Sequence, residues 1–165
     1  MSTEFLKEIK IGNHNILPVI LSPMCGVTDV PFRKLVKSFG AGLTISEMIA
    51  SQAMILQTKA SLKKSAFSET EDIPVVQLAG SDPKIIAEAA KLNEDLGAKI
   101  IDINFGCPVK KVVGTNCGSA LMKDTKLASK IISSVVESVN VPVTVKIRTG
   151  WDENNKNAPA FAKMA

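Results

Sequence analysis

An alternation of two segment types constrains this chain most. Short, nearly continuous apolar runs fall at residues 17–21, 42–46, 74–79, 99–104 and 142–147, with longer stretches of helical spacing between most of them. At Leu127, Ile131, Val135 and Val139 the apolar positions recur every fourth residue, and Asp124 stands where a helix needs a side-chain acceptor for its first free amides. After Gly80 the signals are fuller: Ser81 or Asp82 as cap, Pro83 near the first helical position, and Gly97 as the left-handed stop. Residues 28–39 predict a third helix, closed by Gly40. Residues 51–64, with Met54, Ile55, Leu56 and Leu62, read as one further helix with a basic end.

Strands alternating with helices predict βα units and a parallel sheet, and apolar runs of this kind fit a sheet covered on both faces. An open doubly wound sheet and a β/α barrel both satisfy that pattern. The Gly-rich phosphate turn of dinucleotide-binding sheets is absent after the first run, and special residues gather just beyond each strand: Ser22 to Met24, Glu47, Gln77, Asn104 to Cys107, and Lys146 to Arg148. Barrel enzymes build their sites at that end of the strands, so the expected class is an α/β fold of the (β/α)8 TIM-barrel type. A closed barrel has eight strands in roughly 250 residues, whereas about five are readable here in 165 residues.

Bulk properties exclude little. No apolar run approaches the roughly 20 residues of a membrane helix, and residues 1–10 mix Glu and Lys with single apolar residues, unlike a secretory leader. Three cysteines without paired metal-ligand spacing read as free thiols, and hence a cytoplasmic protein. A net charge of +4 permits an RNA partner without requiring one.

The chemistry concentrates in Asp-Ile-Asn-Phe-Gly-Cys-Pro-Val-Lys-Lys at 102–111. A strand delivers Asn104, Gly106 allows an unusual backbone, and Cys107 projects from the turn before Pro108 stiffens the exit. A thiol with an ordinary pKa of about 8.5 is protonated near neutral pH and can serve as a general acid. From the residues alone, Cys107 is more readily a small buried hydrophobe, Lys146 a strand-end lysine reaching for water, and Gln77 a loop-satisfying amide. Glu47 reads as an acceptor for loop amides in preference to a catalytic carboxylate, Cys25 and Cys117 as packing residues, and His14 as a surface or turn residue.

Asn-Phe-Gly-Cys-Pro at 104–108 resembles the signature of the tRNA-dihydrouridine synthases, and other segments resemble that family in the same order. They are Ser-Pro-Met-Cys-Gly-Val-Thr-Asp at 22–29 with Pro-Phe-Arg at 31–33, Ser-Glu-Met at 46–48, Gln-Leu-Ala-Gly-Ser-Asp-Pro at 77–83, Gly-Ser-Ala-Leu at 118–121 and Lys-Ile-Arg-Thr-Gly at 146–150. The similarity is to the bacterial members and runs from about residue 11 to residue 165.

The resemblance implies an FMN-dependent barrel enzyme that reduces uridine in tRNA to 5,6-dihydrouridine, with NADPH or NADH as reductant. By the same implication Pro23, Met24 and Cys25 touch the flavin ring, and Gln77 and Lys146 hydrogen-bond its polar edge. Asn104 and Arg148 then sit at the target uracil, and Cys107 donates the proton. Lys110 and Lys111 are candidates for phosphate contact on a separate ground, their place in the same loop as Cys107. The family also carries further barrel strands, with a histidine and the phosphate-binding loops, and a helical C-terminal tRNA-binding domain. Residues 1–165 therefore read as the N-terminal part of the barrel, truncated after about the fifth strand. Alone they are expected to bind FMN poorly and to show little reductase activity unless a complementary chain or self-association completes the barrel.

Two other readings stand beside this one. Dihydroorotate dehydrogenase-like flavoproteins share the FMN barrel and, in some members, an Asn-x-Ser-Cys-Pro context. They commonly follow Cys-Pro with Asn, whereas Val109 and two lysines follow here. The other is a non-catalytic remnant or RNA-binding fragment.

Overall fold

The computed structural model describes residues 7–165. Most of residues 1–10, read above as lacking a leader, lies outside the described residues. A hairpin comes first, β1 (Ile9–Ile11) and β2 (His14–Ile16), antiparallel with Ile9 opposite Ile16. Gly12 makes its turn with φ of 56°. His14 is thus a half-buried strand residue rather than a turn residue.

All five predicted runs contain strand. They are β3 (Ile20–Leu21), β4 (Leu43–Thr44), β6 (Val75–Ala79), β7 (Ile100–Phe105) and β8 (Val143–Ile147), with a two-residue β5 (Ile49–Ala50) after β4. β3 pairs with β4, β5 with β6, β6 with β7 and β7 with β8, every pair parallel. Ser46 N–H donates to the Val75 carbonyl at 3.0 Å, which carries the β4 segment onto β6. Neighbours in the sheet therefore follow chain order without reversal. A doubly wound sheet reverses at its switch point; a β/α barrel does not. The fold is α/β with the strand order of a β/α barrel.

The intervening helices are α1 (Val30–Ser38), α2 (Ser51–Ile55), α3 (Lys59–Ser65), α4 (Pro83–Asp95) and α6 (Thr125–Ser138), with a short α5 (Lys110–Val113) after β7 and α7 (Ala158–Met164) after β8. Their ends match local chemistry. Asp29 accepts from Phe32 N, and Asp124 from Leu127 N, each at 3.0 Å. Asp82, not Ser81, caps α4, accepting from Lys84 N at 2.9 Å; Ser81 instead donates to the Thr115 carbonyl. Gly40 and Gly97 leave α1 and α4 in the left-handed region, at φ of 91° and 107°.

Residues 51–64 are two helices rather than one. Gln57 has φ of 47°, which breaks the spiral, and Thr58 opens α3 by accepting from Ser61 N at 3.1 Å. The Leu56 to Thr58 stretch carries the periodicity of a helix but the backbone of a turn.

Two apolar clusters divide the sheet faces. Val76 and Leu78 of β6 and Ile101, Ile103 and Phe105 of β7 point to the helix side, where they meet Ile86 and Ala90 of α4 and Ile131 and Val135 of α6. Phe161 of α7 closes this core, its ring 5.4 Å from that of Phe105 in an edge-to-face arrangement. Each fully buried side chain of this size contributes about 1.5–3 kcal/mol of transfer free energy. The opposite face holds a smaller cluster of Ile16, Leu43, Ile45, Val75 and Ile100, with no helix residue in it. In a β/α barrel that second face is the interior, and its upper part is polar here.

Candidate active site

Because side chains alternate across a strand, Gln77 of β6, Asp102 and Asn104 of β7, and Thr144 and Lys146 of β8 all face the interior. Register brings them side by side: Gln77 pairs with Asp102, Asp102 with Thr144, and Asn104 with Lys146. Their hydrogen bonds form one row. Thr144 Oγ1 donates to Asp102 Oδ1 at 2.6 Å, and Gln77 Nε2 donates to Asp102 Oδ2 at 2.6 Å. Asn104 Nδ2 donates to Gln77 Oε1 at 2.9 Å. The Asn104 oxygen then accepts from the backbone N–H of Gly106 at 3.1 Å and of Cys107 at 2.9 Å. Gln77, Asp102 and Asn104 are buried, so these bonds lie largely away from competing water.

The row ends at the thiol loop. Its backbone is held a second time where Ser119 N–H donates to the Cys107 carbonyl at 3.0 Å. Gly118, at φ of 61°, sits so close that a Cβ there would lie 2.6 Å from the Cys107 carbonyl oxygen. Gly106, expected to supply the unusual backbone, is not left-handed, and a Cβ there would meet only ordinary contacts at 3.5 Å. The conformational demand falls on Gly118 instead. It opens a 3-10 turn (Gly118–Met122) packed under the Cys107 loop.

The loop after β3 forms the facing wall. Gly26 N–H donates to Glu47 Oε2 at 2.6 Å, and Met24 N–H to Thr28 Oγ1 at 3.0 Å. Behind it Arg33 is fully buried: its guanidinium donates to the Thr28 and Ala66 carbonyls, each at 2.8 Å, and its Nε lies 2.6 Å from Glu71 Oε1. Glu71 also accepts from Thr44 Oγ1 and Ser68 N. Arg33 thus joins α1, β4 and the 66–71 loop, and supports the site without facing it.

Pro23, Cys25, Gln77, Asn104, Cys107 and Lys146 line one cleft at the carboxyl ends of the strands, together with Met48, Pro108 and Val109. Met24 and Arg148 do not line it. The Met24 side chain is exposed, and Arg148 is exposed with Nη1 3.5 Å from the Gly106 carbonyl. Cys25, read from the residues alone as a packing position, is exposed at the cleft. Cys117 is half-buried and its Sγ faces the Thr115 carbonyl. Lys110 and Lys111 are exposed on α5, beside the thiol loop. Lys146 makes no salt bridge among the described residues and faces the cleft as a half-buried ammonium.

Asp102 and Thr144 are the members of the site that sequence reasoning did not select. Their signal was present: polar residues two apart, 102 with 104 and 144 with 146, in otherwise apolar strands. Burial pushes the Asp102 carboxyl up to about 6 against the opposing effects of the Thr144 and Gln77 hydrogen bonds and the Lys146 charge.

A cleft at the carboxyl ends of parallel strands in chain order, with a thiol, an ammonium and two carboxamides, defines an α/β barrel-type site able to bind a polar-edged ring and move a proton. Comparison with known proteins gives the lineage. Residues 20–165 match the dihydrouridine synthase (Dus) family, and the chain belongs to it. It is similar to a probable tRNA-dihydrouridine synthase of Rickettsia conorii, 62% identical over 159 residues, which covers 95% of this chain and 48% of the relative. It is likewise similar to tRNA-dihydrouridine synthase B of Xanthomonas axonopodis, 51% identical with the same coverage, and of Pseudomonas aeruginosa, 47% identical over 97% of this chain and 48% of the relative. The chain spans about half the length of the curated relatives it matches.

Proposed function

We propose that this chain carries the ring-binding and proton-donating part of a tRNA-dihydrouridine synthase site. The single observation that carries the reading is the meeting of Cys107, Gln77, Asn104 and Lys146 in one cleft, on a chain of this family.

The donor set fits a flavin. Gln77 keeps one amide proton beyond its bond to Asp102, and Lys146 has no carboxylate partner among the described residues. Both face the cleft, and the pyrimidine edge of a flavin is rich in acceptors and gains negative charge on reduction. When bound, FMN reduced by NADPH or NADH supplies the hydride for C6 of a uracil in tRNA.

The remaining work falls to this chain. Pro23 and Cys25 wall the ring, while Gln77 and Lys146 hold its polar edge. Asn104 turns its spare N–H toward the uracil, and Arg148 stands at the rim where substrate enters. The Cys107 thiol gives its proton to C5 as C6 takes the hydride, so the C5=C6 bond becomes single, and the thiolate is reprotonated from solvent. The base leaves its stack to reach the cleft. Lys110 and Lys111 lie in position to meet the phosphate backbone beside it.

The reading is tested by titrating FMN into the protein and following the flavin absorbance band through gel filtration. Weak flavin binding, with little flavin retained through the column and less still in Lys146→Met and Gln77→Leu, is expected. Flavin binding that neither substitution alters would remove the ring site from this cleft.

A further inference from the structure

The polar row has a sense, and both of its ends fix it. A carboxamide offers an oxygen on one side and an NH2 on the other, and its neighbours decide which way it points. An ionised carboxylate only accepts, so the Gln77 atom 2.6 Å from Asp102 Oδ2 is the nitrogen. Backbone N–H groups only donate, so the Asn104 atom within 3.1 Å of Gly106 N and 2.9 Å of Cys107 N is the oxygen. The central bond, Asn104 Nδ2 to Gln77 Oε1 at 2.9 Å, agrees with both constraints. Each amide then has one N–H left over.

We propose that Asp102 is a positioning residue for this site. Its carboxylate sets the sense of the Gln77–Asn104 row, so that the cleft presents N–H donors to the acceptor edge of a bound ring, and it steadies the Cys107 backbone through Asn104. The proposal rests on the ring-binding reading above and deepens it: the matching ligand edge consists of carbonyl oxygens and unprotonated ring nitrogens.

Chemistry and burial agree. Asp102 is 3% exposed, in a strand whose other interior position below Asn104 is Ile100. Glu71 is buried against Arg33, whereas Asp102 makes no salt bridge among the described residues, and a buried carboxylate of that kind is a candidate for a functional site. Lys146 is the charged group acting on it; its partners on β6 and β8, Gln77 and Thr144, are neutral. Protonated, Asp102 no longer demands a donor from Gln77, and the row loses one of its two anchors.

Nitrogen-edited NMR spectra of the free chain test this without any flavin. Between about pH 5 and about pH 8 the Gln77 side-chain amide and the Gly106 and Cys107 backbone amides are expected to shift together, with one midpoint near 6. Asp102→Asn can still accept from Gln77 and donate to Thr144 Oγ1. It should abolish that titration while keeping the Gln77 side-chain amide and the Cys107 amide protected from exchange. Asp102→Leu should lose both protections and weaken FMN binding about tenfold, against less than about threefold for Asp102→Asn. A titration at Cys107 that persists in Asp102→Asn overturns the proposal, as does unchanged protection in Asp102→Leu. Should the Leu variant not fold, the Asn titration decides alone. Failure of flavin binding with these spectra as expected would count against the ring-binding reading and leave the role of Asp102 standing.

Discussion

The side-chain oxygen of Asn104 lies 2.9 Å from the backbone nitrogen of Cys107, three residues later, and also accepts from Gly106 N–H. One side chain thus closes the turn that presents the thiol, before any substrate arrives. Asn104→Ala leaves two amides without their acceptor. The expected cost is about 1–3 kcal/mol in denaturant unfolding, with faster hydrogen exchange at Cys107 N–H than at Ile103 N–H in the adjoining strand.

The burial of Asp102 makes the stability of the chain depend on pH. Its carboxyl sits at about 6 when folded against an ordinary 3.8, so between those values the folded chain holds the proton that the unfolded chain has released. Its contribution to stability therefore falls as pH rises through that window and stays constant above it, by on the order of 3 kcal/mol in all. Urea unfolding across the window should show Asp102→Asn losing this downward slope and gaining relative stability near neutrality. A steeper slope in the variant would contradict the assignment.

The Arg33–Glu71 pair, its two side chains 1% and 2% exposed, predicts a large structural effect with no role in the chemistry. Removing one partner strands a buried charge, so Arg33→Met should cost about 3–5 kcal/mol by denaturant unfolding. The double variant Arg33→Met with Glu71→Met should recover part of that loss. Equal loss in both would mean that the guanidinium's bonds to the Thr28 and Ala66 carbonyls dominate over the ion pair.

Gly118→Ala tests the second hold on the thiol loop. A Cβ there meets the Cys107 carbonyl at 2.6 Å in a left-handed backbone, so a loss of more than about 1 kcal/mol is expected. Gly106→Ala, with its nearest contact at 3.5 Å, should be milder. The measurement is the unfolding midpoint of the two variants side by side.

Much of this architecture was legible in the residues, and the misses have physical causes. The five strand runs, the caps at Asp82 and Asp124 and the stops at Gly40 and Gly97 follow from local chemistry that the tertiary fold does not override. The break at Gln57 was not legible, because its apolar neighbours keep helical spacing while the turn is set by Thr58 capping the next helix. Cys107, Gln77, Asn104 and Lys146 could be named as polar residues near strand ends. Their hydrogen bonding depends on register across three strands, which no single segment encodes. Asp102 went unselected for that reason: in sequence it precedes the motif, and only pairing with Gln77 and Thr144 makes it part of the site. The exposure of Cys25 likewise depends on how the 22–29 loop folds back to Glu47.

The most direct test of the account is dihydrouridine formation in uridine-containing tRNA, with FMN and NADPH, by the protein bearing this sequence and by its Cys107→Ala variant. Loss of the proton donor should slow the reaction by about 10²–10⁴-fold while leaving flavin binding within about threefold of the parent. Undiminished dihydrouridine formation in Cys107→Ala would contradict the role assigned to the thiol and to the hydrogen-bonded row that holds it.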